Sequence, residues 1–221
     1  MSNPESFIDE VTEEVRRDRL FATFRKYGWI GVLLVVAVVG GSAYNEWSKA
    51  RAEASAEAFG DALIDALDLG APEDRRAALA SIPAEDGQKA ILNLVLATDP
   101  AENREESLKA LAALEADSSQ PQAYRDLATL RRVIVSGKDL SIQERRAALE
   151  PIAVAGRPFR PLALEQLAYL LLEEGKTDEA IAAMTALTQD QQSPSSLRGR
   201  VDQMITVLGG KPASVATGNG G

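Results

Sequence analysis

The chain has 221 residues, of which 33 are acidic and 24 are basic, and its formal net charge is −9. It contains neither Cys nor His, so it lacks the side chains that disulfides, most zinc sites and most hydrolytic triads require. This acidic balance also disfavours nucleic acid as a partner.

Residues 1–26 are predicted to form a cytoplasmic amphipathic segment. Apolar residues such as Phe7, Val11 and Val15 recur at helical spacing, and acidic residues precede the arginines, as the helix dipole prefers. Two interpretations of this helix stay open. Its apolar stripe lies on the membrane surface or binds a cytosolic partner, or the helix is a solvated lead-in to the segment that follows.

Residues 27–47 are predicted to form a transmembrane anchor. The run from Gly28 to Tyr44 holds 17 residues with no charge and no Pro. As a helix it spans roughly 25 Å, close to the ~30 Å hydrocarbon layer of a bilayer. Aromatic rings, which favour the lipid headgroup level, flank both ends. They are Tyr27, Trp29, Tyr44 and Trp47.

There are two alternatives to this anchor. One is a buried core helix, but core runs are usually shorter or carry a polar face. The other is a cleaved signal peptide, because Gly41-Ser42-Ala43 resembles a cleavage site. The preceding 26 residues carry six acids, whereas the basic region that begins a signal peptide is short. The pattern therefore favours a retained anchor, with the lipid bilayer as its partner.

The basic residues near the two ends of the anchor are unevenly distributed. Only Lys49 and Arg51 follow it within a comparable stretch, whereas five basic residues precede it. The five are Arg16, Arg17, Arg19, Arg25 and Lys26. The positive-inside bias predicts a cytoplasmic N-terminus and a C-terminal domain outside the cytoplasm. Within the anchor, Ala37, Gly40 and Gly41 are small enough to let another transmembrane helix approach closely.

Residues 48–208 are predicted to form an all-α domain, the head. Its first helix continues from the anchor without a break and ends near Gly70. Beyond it, prolines precede or open apolar segments with helical periodicity, and no segment alternates with the period of a strand. Asp99 and Ser193 are expected N-caps. The prolines are Pro72, Pro100, Pro121, Pro161 and Pro194.

A short pattern recurs in the head: Ala followed by Leu or Ile, with Ile, Leu or Met three residues further on. It starts at Ala78, Ala110, Ala148 and Ala180, at spacings of 32, 38 and 32 residues. A pair of helices with its turns takes about that many residues, so the spacing predicts an α-solenoid of stacked helix pairs. In the third copy, Ser141 and Glu144 form the pattern of a capping box, and Pro151 is expected to kink or end the helix.

The last copy, which begins at Leu167, resembles a tetratricopeptide repeat. Gly175 is expected to close its first helix and Thr177 to cap its second. The resemblance is incomplete, because Leu187 stands where a small residue is usual and Pro194 comes late. Six residues match the repeat pattern: Leu167, Ala168, Leu171, Gly175, Ala180 and Met184.

Residues 209–221 are Gly-rich and contain few apolar residues. Such a segment buries too little apolar surface to offset the entropy lost on ordering it. It is therefore predicted to be a disordered tail.

The N-terminal stretch FIDEVTEEVRRDRLFATFRKYGW is similar to that of tetratricopeptide-repeat membrane proteins from alphaproteobacteria. With one anchor and degenerate repeats, the chain resembles the YfgM-like family, described as ancillary subunits of the SecYEG translocon. The resemblance implies a Gram-negative inner-membrane protein whose periplasmic head lies beside the Sec translocon and helps to pass emerging chains to periplasmic chaperones. The family has no catalytic residues to transfer.

Two functions are compatible with this organisation. In the first, the head binds emerging chains or periplasmic chaperones in the groove of its stacked helix pairs. In the second, the protein is a structural accessory or assembly subunit of another inner-membrane complex and binds it through the anchor. No P-loop, GxSxG or dinucleotide motif is present, so we predict no enzyme activity, no catalytic residues, and no cofactor, metal ion or small-molecule substrate.

A binding face is predicted by treating Ala128 and Ala168 as the same position in the first helices of two pairs. Positions three residues before that alanine, one after it and four after it share one face of a helix. The alternative is that Tyr169 and Leu172 pack against the neighbouring helix pair. The six predicted residues are Arg125, Thr129, Arg132, Glu165, Tyr169 and Leu172.

Overall fold

A computed structural model describes the backbone of residues 4–211 and the side chains of residues 25–211. Within that range the chain forms α-helices and one 3-10 helix, at Gly137–Asp139, and no β-strand, which confirms the all-α prediction. The α-helices are α1 (Pro4–Leu67), α2 (Pro72–Ser81), α3 (Gly87–Leu96), α4 (Arg104–Ala116), α5 (Gln122–Ser136), α6 (Ile142–Leu149), α7 (Arg160–Glu173), α8 (Thr177–Gln189) and α9 (Ser195–Val207).

The chain divides into two compact units, residues 1–61 and residues 62–221. All described residues of the first unit belong to α1, which continues unbroken and ends at Leu67, close to the expected end near Gly70. The predicted boundary between anchor and head, at residue 47, lies inside α1. The apolar side chains predicted for the cytoplasmic segment, and most of the predicted tail, lie outside the described residues.

Consecutive helices build the second unit. From α2 to α9, each helix packs against the next one along the chain. Buried apolar side chains form three clusters, and each cluster is built by three consecutive helices: α3 to α5, α5 to α7 and α7 to α9. Helix α5 therefore contributes buried side chains to two clusters, with Ala128 in the first and Leu130 in the second. Because apolar burial is the dominant favourable term in folding, these clusters hold the successive helices together.

The repeated Ala-Leu pattern falls in every second helix of the head: α2, α4, α6 and α8. Its second residue is buried at Leu79, Leu111 and Leu149 and half-buried at Ile181. The alanine of the pattern is fully buried at Ala180, where a small side chain lets neighbouring helices approach closely. The pattern thus marks helix faces that pack into the core.

Helix α6 begins and ends where local sequence predicts. Ser141 and Glu144 form a complete capping box at its start, with the N–H of Glu144 donating to the Ser141 hydroxyl at 3.2 Å. The helix ends at Leu149, two residues before Pro151. Proline has no N–H to donate and its ring collides with the preceding turn, so the helix cannot continue through it.

Gly175 closes α7, as predicted from the repeat pattern. Its φ of +77° is a left-handed conformation that residues with a Cβ rarely adopt. The N–H of Gly175 donates to the carbonyl of Leu172 at 3.0 Å, and the N–H of Lys176 donates to that of Leu171 at 2.9 Å. These bonds satisfy two of the carbonyls that a helix leaves free at its end.

Three predicted caps are wrong. Asn103, not Asp99, caps α4, and its side chain accepts a hydrogen bond from a backbone N–H of the first turn at 3.1 Å. Helix α9 begins after Pro194, and the hydroxyl of Ser193 is buried with no hydrogen-bond partner among the described residues. Thr177 is the first residue of α8 rather than its cap. Helices α4 and α9 therefore begin later than caps at Asp99 and Ser193 predict, whereas α8 begins one residue earlier than a cap at Thr177 predicts.

Two glycines of the head are expected to respond oppositely to alanine. Gly175→Ala places a Cβ on a residue of positive φ and should lower the free energy of unfolding by about 1 kcal/mol. Gly199 lies inside α9, where an added Cβ meets no atom within 4 Å. Gly199→Ala should raise the free energy of unfolding by about 0.5–1 kcal/mol. Urea unfolding measures both changes, and a loss of stability in Gly199→Ala would contradict this geometry of α9.

Candidate protein-binding grooves

The apolar side chains of residues 28–44 in α1 are exposed. Among the described residues, one helix is long and apolar enough to cross a membrane, and none of its apolar window is buried. The core helix of a soluble protein buries such residues. The exposure of Trp29 and Val32 therefore argues against the interpretation of this run as a buried core helix. The helix also continues unbroken past Ala43, which places the cleavage-like site inside regular structure.

Charged and aromatic side chains lie together at both ends of this apolar run. The Lys26 ammonium lies 5.5 Å from the centroid of the Tyr27 ring. At the other end, the ring centroids of Tyr44 and Trp47 are 6.1 Å apart, and the Arg51 guanidinium lies 5.7 Å from the Trp47 centroid. Such amphipathic groups suit the region between hydrocarbon and water at a membrane surface.

The small residues predicted to pack against another transmembrane helix are Ala37, Gly40 and Gly41. All three are exposed on α1. A Cβ added to either glycine meets no atom within 4 Å. Their surface is therefore unobstructed, and its use as a packing face stays a prediction.

In α5, the predicted binding face consists of half-buried residues that have partners within the protein. Arg132 donates from Nε and Nη2 to both carboxylate oxygens of Glu115 in α4, with the Nη2 contact at 3.0 Å. Arg125 donates to the side chain of Gln122, and the Thr129 hydroxyl donates to the carbonyl of Arg125 at 3.1 Å. Arg132 thus ties α5 to α4.

In α7, side chains of α9 occupy part of the predicted face. Glu165 was expected to face outward but is 3% exposed, which corrects that position. Arg200 of α9 donates to both of its oxygens at 2.8 Å, and the Tyr169 hydroxyl donates to one of them at 3.0 Å. Tyr169 and Leu172 pack against the third core cluster, to which α8 and α9 contribute. These two residues therefore follow the alternative interpretation, in which they pack against neighbouring helices.

The six predicted residues do not line a common cavity. Tyr169 lines a groove of about 220 Å³ formed by α5, α6 and α7, together with Ile134, Leu149 and Gln166, and the other five are not part of its lining. Their joint role in binding a partner stays a prediction.

Two larger grooves lie between even-numbered helices. The first groove, of about 450 Å³, has walls from α2 and α4 and a floor from α3. The second groove, of about 280 Å³, has walls from α6 and α8 and a floor from α7. Alanine lines the walls of the first groove, whereas leucine from α7 lines much of the second. Volumes of this size can take several apolar side chains of a partner.

The two walls of the first groove carry the same pattern at an interval of 33 residues. Each wall has a glutamate, a basic residue and two alanines at the spacing i, i+3, i+4 and i+7, which places them on one helix face. In α2 they are Glu73, Arg76, Ala77 and Ala80. In α4 they are Glu106, Lys109, Ala110 and Ala113. The prediction from sequence missed this face because it followed the Ala-Leu pattern, which shares only Ala110 with these walls.

Among the described residues, no group of three or more acidic side chains is placed to hold a metal ion. Comparison of the chain with protein-family models, with curated proteins and with solved structures gives no match. The function therefore has to be inferred from the apolar helix and from the grooves of the head.

Ion pairs join α6 to the end of α7. Arg145 donates to both oxygens of Glu173 at 2.8 and 2.6 Å, and these hydrogen bonds raise the pKa of Arg145 and lower the pKa of Glu173. Hydrogen bonds from Lys176 and Arg146 lower the pKa of Glu174. These carboxylates therefore hold their negative charge to lower pH in the folded protein than in the unfolded chain.

The free energy of unfolding of the head is expected to change little between about pH 5.5 and pH 9, because His and Cys, which titrate in that range, are absent. It is expected to fall in acid. Glu173 and Glu174 have folded pKa values below the ordinary 4.5. The unfolded chain therefore binds more protons as the pH falls from 4.5 through the lowered values, and stability is lost over that window. Urea unfolding over a pH series measures it, and Arg145→Met should reduce the loss. A transition centred between pH 6 and pH 7 would contradict the prediction.

Proposed function

We propose that this protein is a non-catalytic protein-interaction module, anchored by one helix in a bacterial inner membrane beside the Sec translocon, with its helical head in the periplasm. One observation carries the proposal. The same chain combines an exposed apolar helix of membrane-spanning length with a helical domain that leaves open apolar grooves. An exposed apolar run of that length is unfavourable in water and favourable in lipid.

We propose further that the head is a degenerate tetratricopeptide-like solenoid. Support comes from the sequential packing of α2 to α9 and from the Ala-Leu pattern in every second helix. Stacked helix pairs of this kind contact their neighbours along the chain and present extended surfaces to partners. Helix α9 follows the last pair and contributes Leu197, Val201 and Ile205 to the third core cluster, as a terminal capping helix does.

The resemblance of the N-terminal stretch, the anchor and the repeats supports a position beside the Sec translocon. There the head binds emerging chains or periplasmic chaperones. The groove linings support a binding role, because they combine alanine and leucine with a few charged residues. Such surfaces recognise apolar side chains of a partner.

Site-specific photo-cross-linking in native membranes tests this proposal. A photoreactive residue at Val36 in α1 is expected to capture a translocon subunit. One at Ala186 in the second groove is expected to capture emerging chains or periplasmic chaperones, whereas one at Ala182, exposed on α8 outside the groove, should not. Exclusive capture of another inner-membrane complex would identify a structural accessory instead. The absence of protein neighbours at both positions would contradict an interaction function.

The orientation of the anchor has its own expected result. A reporter enzyme that is active only outside the cytoplasm should work when fused after residue 208 and fail when fused before residue 20. The physical reason is the excess of Lys and Arg before the anchor. The opposite reporter pattern would contradict the orientation. A mature protein whose N-terminal sequence begins at Tyr44 would contradict a retained anchor.

A further inference from the structure

The first groove has apolar walls that no described part of the chain fills. Ala77 and Ala80 of α2 and Ala113 of α4 are exposed, and Leu96 of α3 lies at the floor. Because these wall side chains are small, the ridges on both helices are low and another helix can approach closely. Any larger side chain at these positions would occupy the groove itself.

The two basic residues that line this groove differ in their ion pairs. On α2, Arg76 lies 3.9 Å from a carboxylate oxygen of Glu102 and 3.5 Å from one of Glu106. Lys109 of α4 is the residue equivalent to Arg76, 33 residues further along the chain. None of the described carboxylates lies within ion-pair distance of Lys109. Glu73 lies in the first turn of α2, where the helix dipole favours a negative charge. The groove therefore has one basic residue whose counter-charge a partner can supply.

The kind of partner follows from how peptides bind to proteins. An added β-strand needs an exposed sheet edge, and the described residues contain no strand. A polyproline segment needs an aromatic-lined groove, and the lining of this groove contains no aromatic residue. An amphipathic helix needs an apolar groove with charged residues beside it, and the groove of α2, α3 and α4 is lined by alanine and leucine together with charged residues of α2 and α4.

We propose that the first groove binds an amphipathic α-helix of a partner protein. Large apolar residues of that helix lie between Ala80 and Ala113, and a carboxylate at one end of its apolar face pairs with Lys109. This inference rests on the proposed function and specifies the chemistry of one of its partners.

The test uses the full chain in lipid nanodiscs and two helical peptide probes of the same length. Both probes carry leucine at i, i+3, i+4 and i+7, and one ends this face with glutamate and the other with lysine. The wild-type protein should bind the glutamate probe with a Kd in roughly the micromolar range. It should bind the lysine probe about three to ten times more weakly.

Two pairs of measurements make the test specific. Ala113→Phe fills the groove from an exposed position and should weaken binding of the glutamate probe by about tenfold or more. Ala112→Phe, exposed on the same helix outside the groove, should change it by less than about twofold. Lys109→Glu should reverse the preference, so that the lysine probe binds better than the glutamate probe. Circular dichroism of each variant shows that the helices are intact.

Three results would overturn the inference. The first is failure of the wild-type protein to bind either probe, which is expected if lipid or a second copy of the protein fills the groove. The second is an equal effect of Ala112→Phe and Ala113→Phe on binding of the glutamate probe. The third is a Lys109→Glu variant that still prefers the glutamate probe. The cross-links from Val36 and Ala186 are independent of these probes. A protein that keeps those cross-links and binds neither peptide would contradict this inference alone, whereas loss of both would contradict the proposed function as well.

Discussion

Leu130→Ala is expected to lower the free energy of unfolding of the head by about 2–5 kcal/mol. Leu130 is 2% exposed and belongs to the second core cluster, which joins α5, α6 and α7. The truncation removes buried methyl groups and leaves a cavity that the surrounding helices fill only in part. Urea unfolding of the full chain in detergent, followed by far-ultraviolet circular dichroism, measures the loss.

Ile134→Ala is the matched control for this experiment. Ile134 lies one turn further along α5, is 52% exposed and lines the groove formed by α5, α6 and α7. Its truncation should cost less than about 1 kcal/mol, because the side chain already contacts water. Equal losses at the two positions would contradict the assignment of the buried face of α5.

Arg200→Ala is expected to cost about 2–3 kcal/mol, because it leaves the buried Glu165 carboxylate with the Tyr169 hydroxyl as its described partner. The hydrogen bonds with Glu165 raise the pKa of Arg200, so the guanidinium is charged throughout the pH range of the folded protein. The side chain of Arg200 is 50% exposed, so water replaces part of the lost interaction. The loss is therefore smaller than for a fully buried pair.

The double variant Glu165→Gln/Arg200→Ala separates the effect of charge from that of packing. A neutral amide can keep the hydrogen bond with Tyr169 and removes the buried charge, so the double variant should be more stable than Arg200→Ala alone. A double variant no more stable than the single one would attribute the loss to packing of the Arg200 side chain.

Features whose cause is local were predicted from the sequence. The capping box of Ser141 and Glu144 and the glycine turn at Gly175 each depend on hydrogen bonds within a few residues. Pro151 ends α6 for an equally local reason, the missing N–H. The caps assigned to Asp99 and Ser193 were wrong because several polar residues lie near each helix start and the path of the loop selects among them.

The predicted binding face was less accurate, and Glu165 shows why. Helical spacing correctly places Glu165 on the same face as Tyr169, since the two side chains are hydrogen-bonded at 3.0 Å. Spacing within one helix does not tell which other helix covers that face. Arg200 lies 35 residues further along the chain, in α9, and pairs with the buried carboxylate of Glu165.

The first groove was hidden in the sequence for a related reason. Ala80 and Ala113 are exposed and Ala180 is fully buried, yet all three are alanines in helices of similar composition. Alanine is the best helix former and is small enough for either environment, so its presence does not distinguish a groove wall from a packed contact. The repetition of glutamate, a basic residue and two alanines at 33 residues was the available signal.

The sequence by itself determined that this protein is all-α, that one helix is apolar enough to cross a membrane, and where several helices begin and end. These properties follow from residue periodicity, hydropathy and backbone geometry over short stretches. Only the tertiary structure decided which helix faces are buried, how Arg200 meets Glu165 and where α2, α3 and α4 leave a groove. Those outcomes depend on contacts between residues about one repeat apart, and an Ala-rich helix offers several faces of nearly equal hydrophobicity for such contacts.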